Sequence, residues 1–288
     1  MTVREIDEPL KGIVADAGTA KYGVYDHGAH VFAFTPEGQS PLLWLSEQSH
    51  FEPGKAIRGG IPIIFPWFGP GKSGDLKPAH GFGRTLPWRR TQVDDTTDVD
   101  GRLSVTYELD ETDAGDQPIF PFSFHARFRV DFAPTRFTAA LSVTNRDEER
   151  FAFEEALHTY LAVGDVRKVR IDGLDAVKFY DRAAADPNVL RVLEGPVKFT
   201  GETDRMYLTK GPVTLKDPVL NRVVLVEKTG SGATVVWNPW IDKAAAMGDF
   251  GDDEWQQMVC IEAANALDTA VTLKPGESHT LTYSLSLK

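Results

Sequence analysis

The sequence predicts an all-β fold, a large antiparallel β-sandwich with few short helices. Three observations lead there: apolar residues recur with a period of two in segment after segment, turn residues punctuate these segments at short intervals, and helical periodicity is nearly absent. Leu103, Val105, Tyr107 and Leu109 share one strand face, as do Phe128, Val130 and Phe132, and then Phe137, Ala139, Leu141 and Val143. RVVLVEK and ATVVWN flank the turn TGSG, and AVTLK and HTLTYSLSL flank PGES, so both pairs are expected to be hairpins. The helical exceptions are DKAAAM, with Asp242 as its expected N-cap, and DDEWQQM, both too short to organise a domain. Strand signals run from about residue 10 to the C-terminus without a linker, so residues 1–288 read as a single domain of roughly fifteen to twenty strands.

Composition narrows the function. Of the 288 residues 42% are apolar and 25% charged, which suits a globular chain with a sizeable core. The opening MTVREIDEPLKG has alternating charges and no apolar run, so neither a secretory signal nor a membrane anchor is expected there, and the cytoplasm is the expected location. A formal net charge of -11 repels polyphosphate backbones and argues against a nucleic-acid partner. An anionic small molecule would need a local pocket of Arg or Lys to offset that field. The single cysteine, Cys260, lies between Val259 and Ile261 and reads as a buried thiol rather than a nucleophile.

Four segments place charged or imidazole groups among apolar and glycine residues, where burial without a purpose is costly. In AIRGGIPIIFPWFGP, Arg58 precedes two glycines that would let backbone approach a ligand, although an arginine paired with a carboxylate explains the pattern as well. HGFGR brings His80 and Arg84 beside further glycines, and a guanidinium fork suits phosphate or carboxylate. FEEALHTYL alternates so that His158 stands on one strand face with Glu154, Ala156 and Tyr160; a lone strand histidine is more often structural. MVCIEAAN places Glu262 after an apolar run, where an unpaired carboxylate would have a raised pKa and become a candidate base.

Other chemistries lack support. GPGKSG resembles a phosphate-binding P-loop, but Pro66 stands where the first glycine is needed and no amphipathic helix follows. His27 and His30 lie in GVYDHGAHVFAF, which reads as one strand with the two rings on opposite faces, and no other spacing suggests metal ligands. There is no GxSxG elbow for a serine hydrolase.

Taken in order, AIRGGIP, HGFGR, EALHTYL, TDRMY, VVWNPW and CIEAAN resemble the D-hexose-6-phosphate mutarotases, or glucose-6-phosphate 1-epimerases, of the aldose 1-epimerase superfamily, over roughly residues 25–285. The resemblance implies the galactose-mutarotase-like β-sandwich, an acid and base pair at His158 and Glu262, phosphate contacts at Arg58 and Arg84, and sugar contacts at Asp204 and His80. Some relatives carry a glutamine directly before that histidine, whereas this chain has Ala79. The activity it implies is exchange of α and β anomers of a hexose 6-phosphate, with no metal or other cofactor; a monomer is the expected state of the chain. Two alternatives stay open: a sugar-binding module using aromatic residues such as Trp67 and Trp240, and a mutarotase for neutral aldoses.

Overall fold

The computed structural model describes residues 1–95 and 101–288. Its frame is two eight-stranded antiparallel sheets, accompanied by a four-stranded sheet of Thr2–Ile6, Gly12–Ala17, Ala20–Tyr25 and His30–Thr35 and a two-stranded one of Phe151–Phe153 and Val271–Leu273. The back sheet contains the long alternating strands. Leu103–Asp110, Phe124–Ala133, Arg136–Asn145 and Ser278–Leu287 lie side by side, in a register that opposes Tyr107 to Phe128, Phe128 to Leu141 and Leu141 to Leu281. Alternation therefore lines up whole cross-strand rows of buried residues on one face, and packing within and between such rows is what stabilises a sheet.

The second sheet runs in space Leu190–Val192, Lys178–Asp181, Thr203–Tyr207, Ala233–Asn238, Met258–Asn265, Glu155–Leu157, Ile63–Ile64, with Tyr160–Ala162 also paired to Met258–Asn265. Ala233–Asn238 and Met258–Asn265 are buried at every position, so both of their faces are covered. One face meets the back sheet, where the Tyr283 hydroxyl donates to the Ile261 carbonyl at 2.9 Å. The other underlies the cluster of charged residues described below.

Twenty-two strands are formed among the described residues, more than the spacing rule suggested because seven of them have two or three residues. Neither expected hairpin forms. Arg222–Thr229 pairs with Val213–Asp217 and Ser278–Leu287 in the back sheet, while Ala233–Asn238 pairs in the other sheet, so TGSG is a crossing between layers. Val271–Leu273 likewise pairs with Phe151–Phe153 rather than with the strand after PGES. Period two identifies a strand but not its neighbour. The crossing is held by Asn265, whose Oδ1 accepts from the Gly232 backbone and whose Nδ2 donates to the Gly230 carbonyl, and by Lys228, which donates to Thr209 O and Ser231 Oγ.

Three local readings also change. His27 and His30 sit at the turn joining Ala20–Tyr25 to His30–Thr35, with His27 bound to the Lys55 carbonyl, because Gly28 and Ala29 at positive φ fold the segment back. Asp242 is not the N-cap: the helix is Trp240–Ala245, and the Trp240 amide is capped by the Asn238 side chain at 3.0 Å, leaving Asp242 in the first turn. Gly59 and Gly60 approach protein rather than a ligand, since a Cβ on them would meet Leu45 Cα at 2.5 Å and the Val31 carbonyl at 2.3 Å.

The layer crossing yields a stability test. Gly230 has φ +68°, and a Cβ there would lie 2.0 Å from the Thr280 carbonyl, whereas Gly38 at φ +70° has nothing within 4 Å. Gly38→Ala should cost about 1–2 kcal/mol from backbone strain alone. Gly230→Ala should cost a further ~1–3 kcal/mol from the clash. Urea unfolding midpoints measure the difference; equal losses at both positions would show that the crossing yields freely.

Candidate active site

Strand register builds the centre of the site. Glu155 pairs with Asn265, Leu157 with Ala263 and Tyr160 with Cys260, which puts His158 across from Glu262. Regular pairing breaks at this point: the Thr159 amide donates back to the Leu157 carbonyl, and the His158 amide donates to Pro62. The Nε2 of His158 lies 3.4 Å from the Glu262 Oε1. The same register continues outward, setting Asp204 opposite Trp237, Trp237 opposite Cys260 and Cys260 opposite Tyr160. Directly opposed residues share a face, so Asp204, Trp237, Cys260 and Tyr160 form one row, with Glu262 and His158 in the next.

Loops from the other side supply the remaining groups. His80 is held at φ +69° by a hydrogen bond from its amide to the Gly69 carbonyl, while its Nδ1 accepts from the Gly69 amide at 3.2 Å. That contact makes Nδ1 an acceptor, so the neutral ring carries its proton on Nε2. Its ring stands edge-on to His158 with centroids 5.7 Å apart, and His158 stacks on Tyr160 at 4.8 Å. Residues outside helix or strand in strained backbone conformations are often functional.

The two arginines differ. Arg58 donates through Nε and Nη2 to the two oxygens of Asp249, each at 3.2 Å, and through Nη1 to the Tyr160 hydroxyl at 3.0 Å. Burial works against its charge, but Tyr160 and Asp249 more than offset that, so its pKa is raised. Arg84 donates from Nη2 to the Ala79 carbonyl at 3.0 Å, and its buried Nε has no hydrogen-bond partner. Burial, with the like charge of Arg58 behind it, pushes the Arg84 pKa down to about 10. The guanidinium with spare bonding capacity is therefore Arg84. Asp204, raised by burial, faces Lys243 at 4.0 Å, and Lys243 is bound more closely to Glu202 at 2.7 Å.

Burial raises the Glu262 carboxyl well above the usual range, with Asp204 adding to the effect and Arg84 opposing it. Burial also lowers His158 well below the usual range, followed by the charges of Arg84 and Arg58. Both oxygens of Glu262 and the Nδ1 of His158 are buried without a hydrogen-bond partner. Unsatisfied buried polar atoms are rare and costly, and they concentrate where a ligand is to bind. One nitrogen of His158, the Cys260 sulfur and one oxygen of Glu262 also lie within 4.8 Å of one another, a set able to hold a metal ion.

All six expected site residues thus converge: Arg84, His158, Arg58 and His80 couple electrostatically, and Glu262 couples to Asp204 and Arg84. Sequence reasoning missed Asp249 and Lys243, which reach the site from the segment linking Ala233–Asn238 to Met258–Asn265. Nothing local marks an acidic loop residue as the partner of an arginine 191 positions away. Trp67 and Trp240 are not open platforms: Trp67 is buried and donates to the Pro78 carbonyl, and Trp240 packs on Trp255 at 4.4 Å.

The sequence matches the aldose 1-epimerase family model over residues 13–286. The chain belongs to the aldose 1-epimerase family. It is 37% identical over 280 residues to a protein of Escherichia coli K12 provisionally named glucose-6-phosphate 1-epimerase, covering 96% of this chain and 90% of that one. A protein of Cenchrus ciliaris with the same provisional name is 36% identical over 259 residues, 88% of this chain and 77% of its own. A solved structure from Salmonella typhimurium, provisionally named a mutarotase, superposes with a TM-score of 0.87 at 31% identity, over 99% of this chain and 92% of that one. These likenesses establish an epimerase family and a mutarotase-like β-sandwich. No helix among the described residues is long and apolar enough to cross a membrane.

The buried carboxyl gives a stability prediction of definite sign. A carboxyl whose folded pKa is raised binds its proton more tightly in the folded chain, so it destabilises the fold increasingly as pH rises from the ordinary carboxylate range through the folded value. Glu262→Gln removes that dependence. The melting temperature of the variant should therefore gain on wild type between pH 5 and pH 8, near and above the ordinary carboxylate range. A melting temperature of the variant minus that of wild type that stays constant or falls as pH rises would contradict the assignment.

Proposed function

We propose that this protein exchanges the α and β anomers of glucose 6-phosphate and related aldohexose 6-phosphates by acid-base opening and reclosure of the sugar ring. The observation that carries the reading is the 3.4 Å contact between His158 Nε2 and Glu262 Oε1, with Arg84 beside it and no carboxylate within ion-pair distance of that guanidinium among the described residues. The relatives' names supply the substrate class, and the arginines give it a chemical basis.

Ring opening needs one proton removed from the C1 hydroxyl and one delivered to the ring oxygen. Both oxygens are bonded to the same carbon, so the two catalytic atoms must stand close together, as His158 and Glu262 do. The pair works when it holds one proton. One member gives that proton to the ring oxygen while the other accepts the hydroxyl proton; the C1–ring oxygen bond breaks and the C1 carbonyl forms. Rotation about C1–C2 and the reverse transfers then close the ring from the opposite face. Asp204 accepts hydrogen bonds from sugar hydroxyls, His80 offers its Nε2 proton, and Arg84 grips the phosphate, with Arg58 beside it.

The electrostatics change the expected resting state. With separate ordinary values of about 4.3 and 6.5, Glu262 would be ionised and His158 protonated between those two pH values, but burial disfavours both charges and favours the pair in its neutral form. The acid limb of kcat/KM then reports the pair gaining a second proton, and the alkaline limb reports the pair losing its only one. After correction for spontaneous mutarotation and for the phosphate's own titration near pH ~6, a bell-shaped profile is expected by polarimetry or NMR. His158→Asn and Glu262→Gln should each lower turnover roughly 10²-fold or more and remove the bell. A corrected profile flat from about pH 5 to 9, unchanged by Glu262→Gln, would exclude the two-group mechanism.

Substrate class has its own test. Losing a charge-assisted contact costs about 1.5–3 kcal/mol, roughly tenfold to more than a hundredfold in affinity. Arg84→Ala should therefore hurt glucose 6-phosphate much more than glucose. Equal losses for both sugars would make the arginine structural and favour a neutral aldose.

A further inference from the structure

We propose that His158, Cys260 and Glu262 form a binding site for a thiophilic divalent cation such as Zn²⁺ or Cd²⁺, and that the bound ion blocks anomer exchange. The inhibitory half of the proposal rests on the function proposed above; the binding half does not.

The three residues arrive by topology. Cys260 and Glu262 are two positions apart on Met258–Asn265 and so project from the same face, and the register brings His158 opposite Glu262 from the neighbouring strand. One donor atom from each lies within 4.8 Å of the other two, and the nitrogen and oxygen are already 3.4 Å apart. Around a tetrahedral Zn²⁺, with bonds of about 2.0–2.3 Å, neighbouring N and O donors stand about 3.4 Å apart and N and S about 3.6 Å. The nitrogen and oxygen need no approach, and the sulfur needs a side-chain adjustment of about an ångström.

Donor chemistry selects the ion. One imidazole, one thiolate and one carboxylate form a mixed borderline-soft set that favours Zn²⁺ or Cd²⁺ over Mg²⁺ or Ca²⁺, which prefer oxygen throughout. Three protein ligands leave a fourth position for water, as at open zinc sites. The unpartnered Glu262 oxygens would gain a ligand. Charge is also accommodated, because Asp249 already balances Arg58, and Asp204, the Glu262 carboxylate and the Cys260 thiolate face the ion together with Arg84. Burial holds the free thiol in its protonated form, with Glu262 adding to that effect. Binding of the ion therefore releases two protons to solvent, that of the thiol and that held by the His158–Glu262 pair, with no change of oxidation state.

The consequence for the pair is direct. A cation on His158 Nε2 and a Glu262 oxygen occupies the atoms that would exchange protons with the sugar, so binding and catalysis exclude each other. Cys260 adds affinity without being needed for the reaction, which makes it the residue to change.

The experiment titrates EDTA-treated full-length protein with Cd²⁺, following the ultraviolet charge-transfer band of the cadmium–thiolate bond and, in parallel, exchange of glucose 6-phosphate anomers. Wild type should show a band saturating at one ion per chain and a roughly hundredfold loss of turnover. EDTA should reverse both, and Zn²⁺ should displace the band. Cys260→Ser, with Cys260→Ala as a second variant should the serine misfold, should exchange anomers at the wild-type rate in EDTA, show no band and keep its activity at the Cd²⁺ concentration that saturates wild type. Absence of the band in wild type, or inhibition undiminished in a folded Cys260 variant, would overturn the site. A band without any metal-free exchange activity would uphold the binding site and reject the function it was proposed to block.

Discussion

The structure depends on one strand that has no solvent face. Met258–Asn265 is buried along its whole length, with Ala233–Asn238 on one side and the interrupted segment from Glu155 to Ala162 on the other. Such a strand would ordinarily be apolar throughout. Here Glu262 interrupts it, only 1% exposed and without a hydrogen bond to either oxygen. The fold tolerates this because two sheets and a contiguous apolar core surround the defect, and a chain with less buried area would unfold around it.

That placement also decides the electrostatics. In water, a glutamate and a histidine exchange protons easily only within a narrow range of pH, whereas burial brings their proton affinities into competition. The arginines act on the same balance from one side and Asp204 from the other. Arg58, clamped by Asp249 and Tyr160, contributes field with little bonding capacity to spare, while Arg84 retains its capacity. Two arginines that look equivalent in sequence thus have different physical roles, and the difference lies in what already occupies their hydrogen bonds.

What the sequence made legible follows from the range of the forces involved. Period-two patterning marked the long strands of the back sheet because their burial is one-sided and local. Pairing was not legible: TGSG looked like a hairpin turn, yet it carries the chain from one sheet to the other, and the partners that decide this, Ser278–Leu287 and Met258–Asn265, lie well along the chain. His158 and Glu262 were singled out separately as odd residues in apolar strands, and only the family resemblance joined them. Their opposition is a matter of register, which no local window contains. Cys260 was read as an inert thiol on its neighbours alone; its side chain shares a face with Glu262, a consequence of strand geometry applied two residues further along.

The register has an implication for how the protein comes into being. The residues around the site come from strands and loops spread between Arg58 and Glu262, and the last of them follows Asp249 on the final strand of its sheet. Contacts of such long sequence separation are the slow ones to form, because loop closure must precede any gain from pairing. A nascent chain leaving the ribosome therefore lacks the carboxylate opposite His158 until Met258–Asn265 has emerged. The acid and base pair is thus completed late, by one of the last strands of the chain to be made.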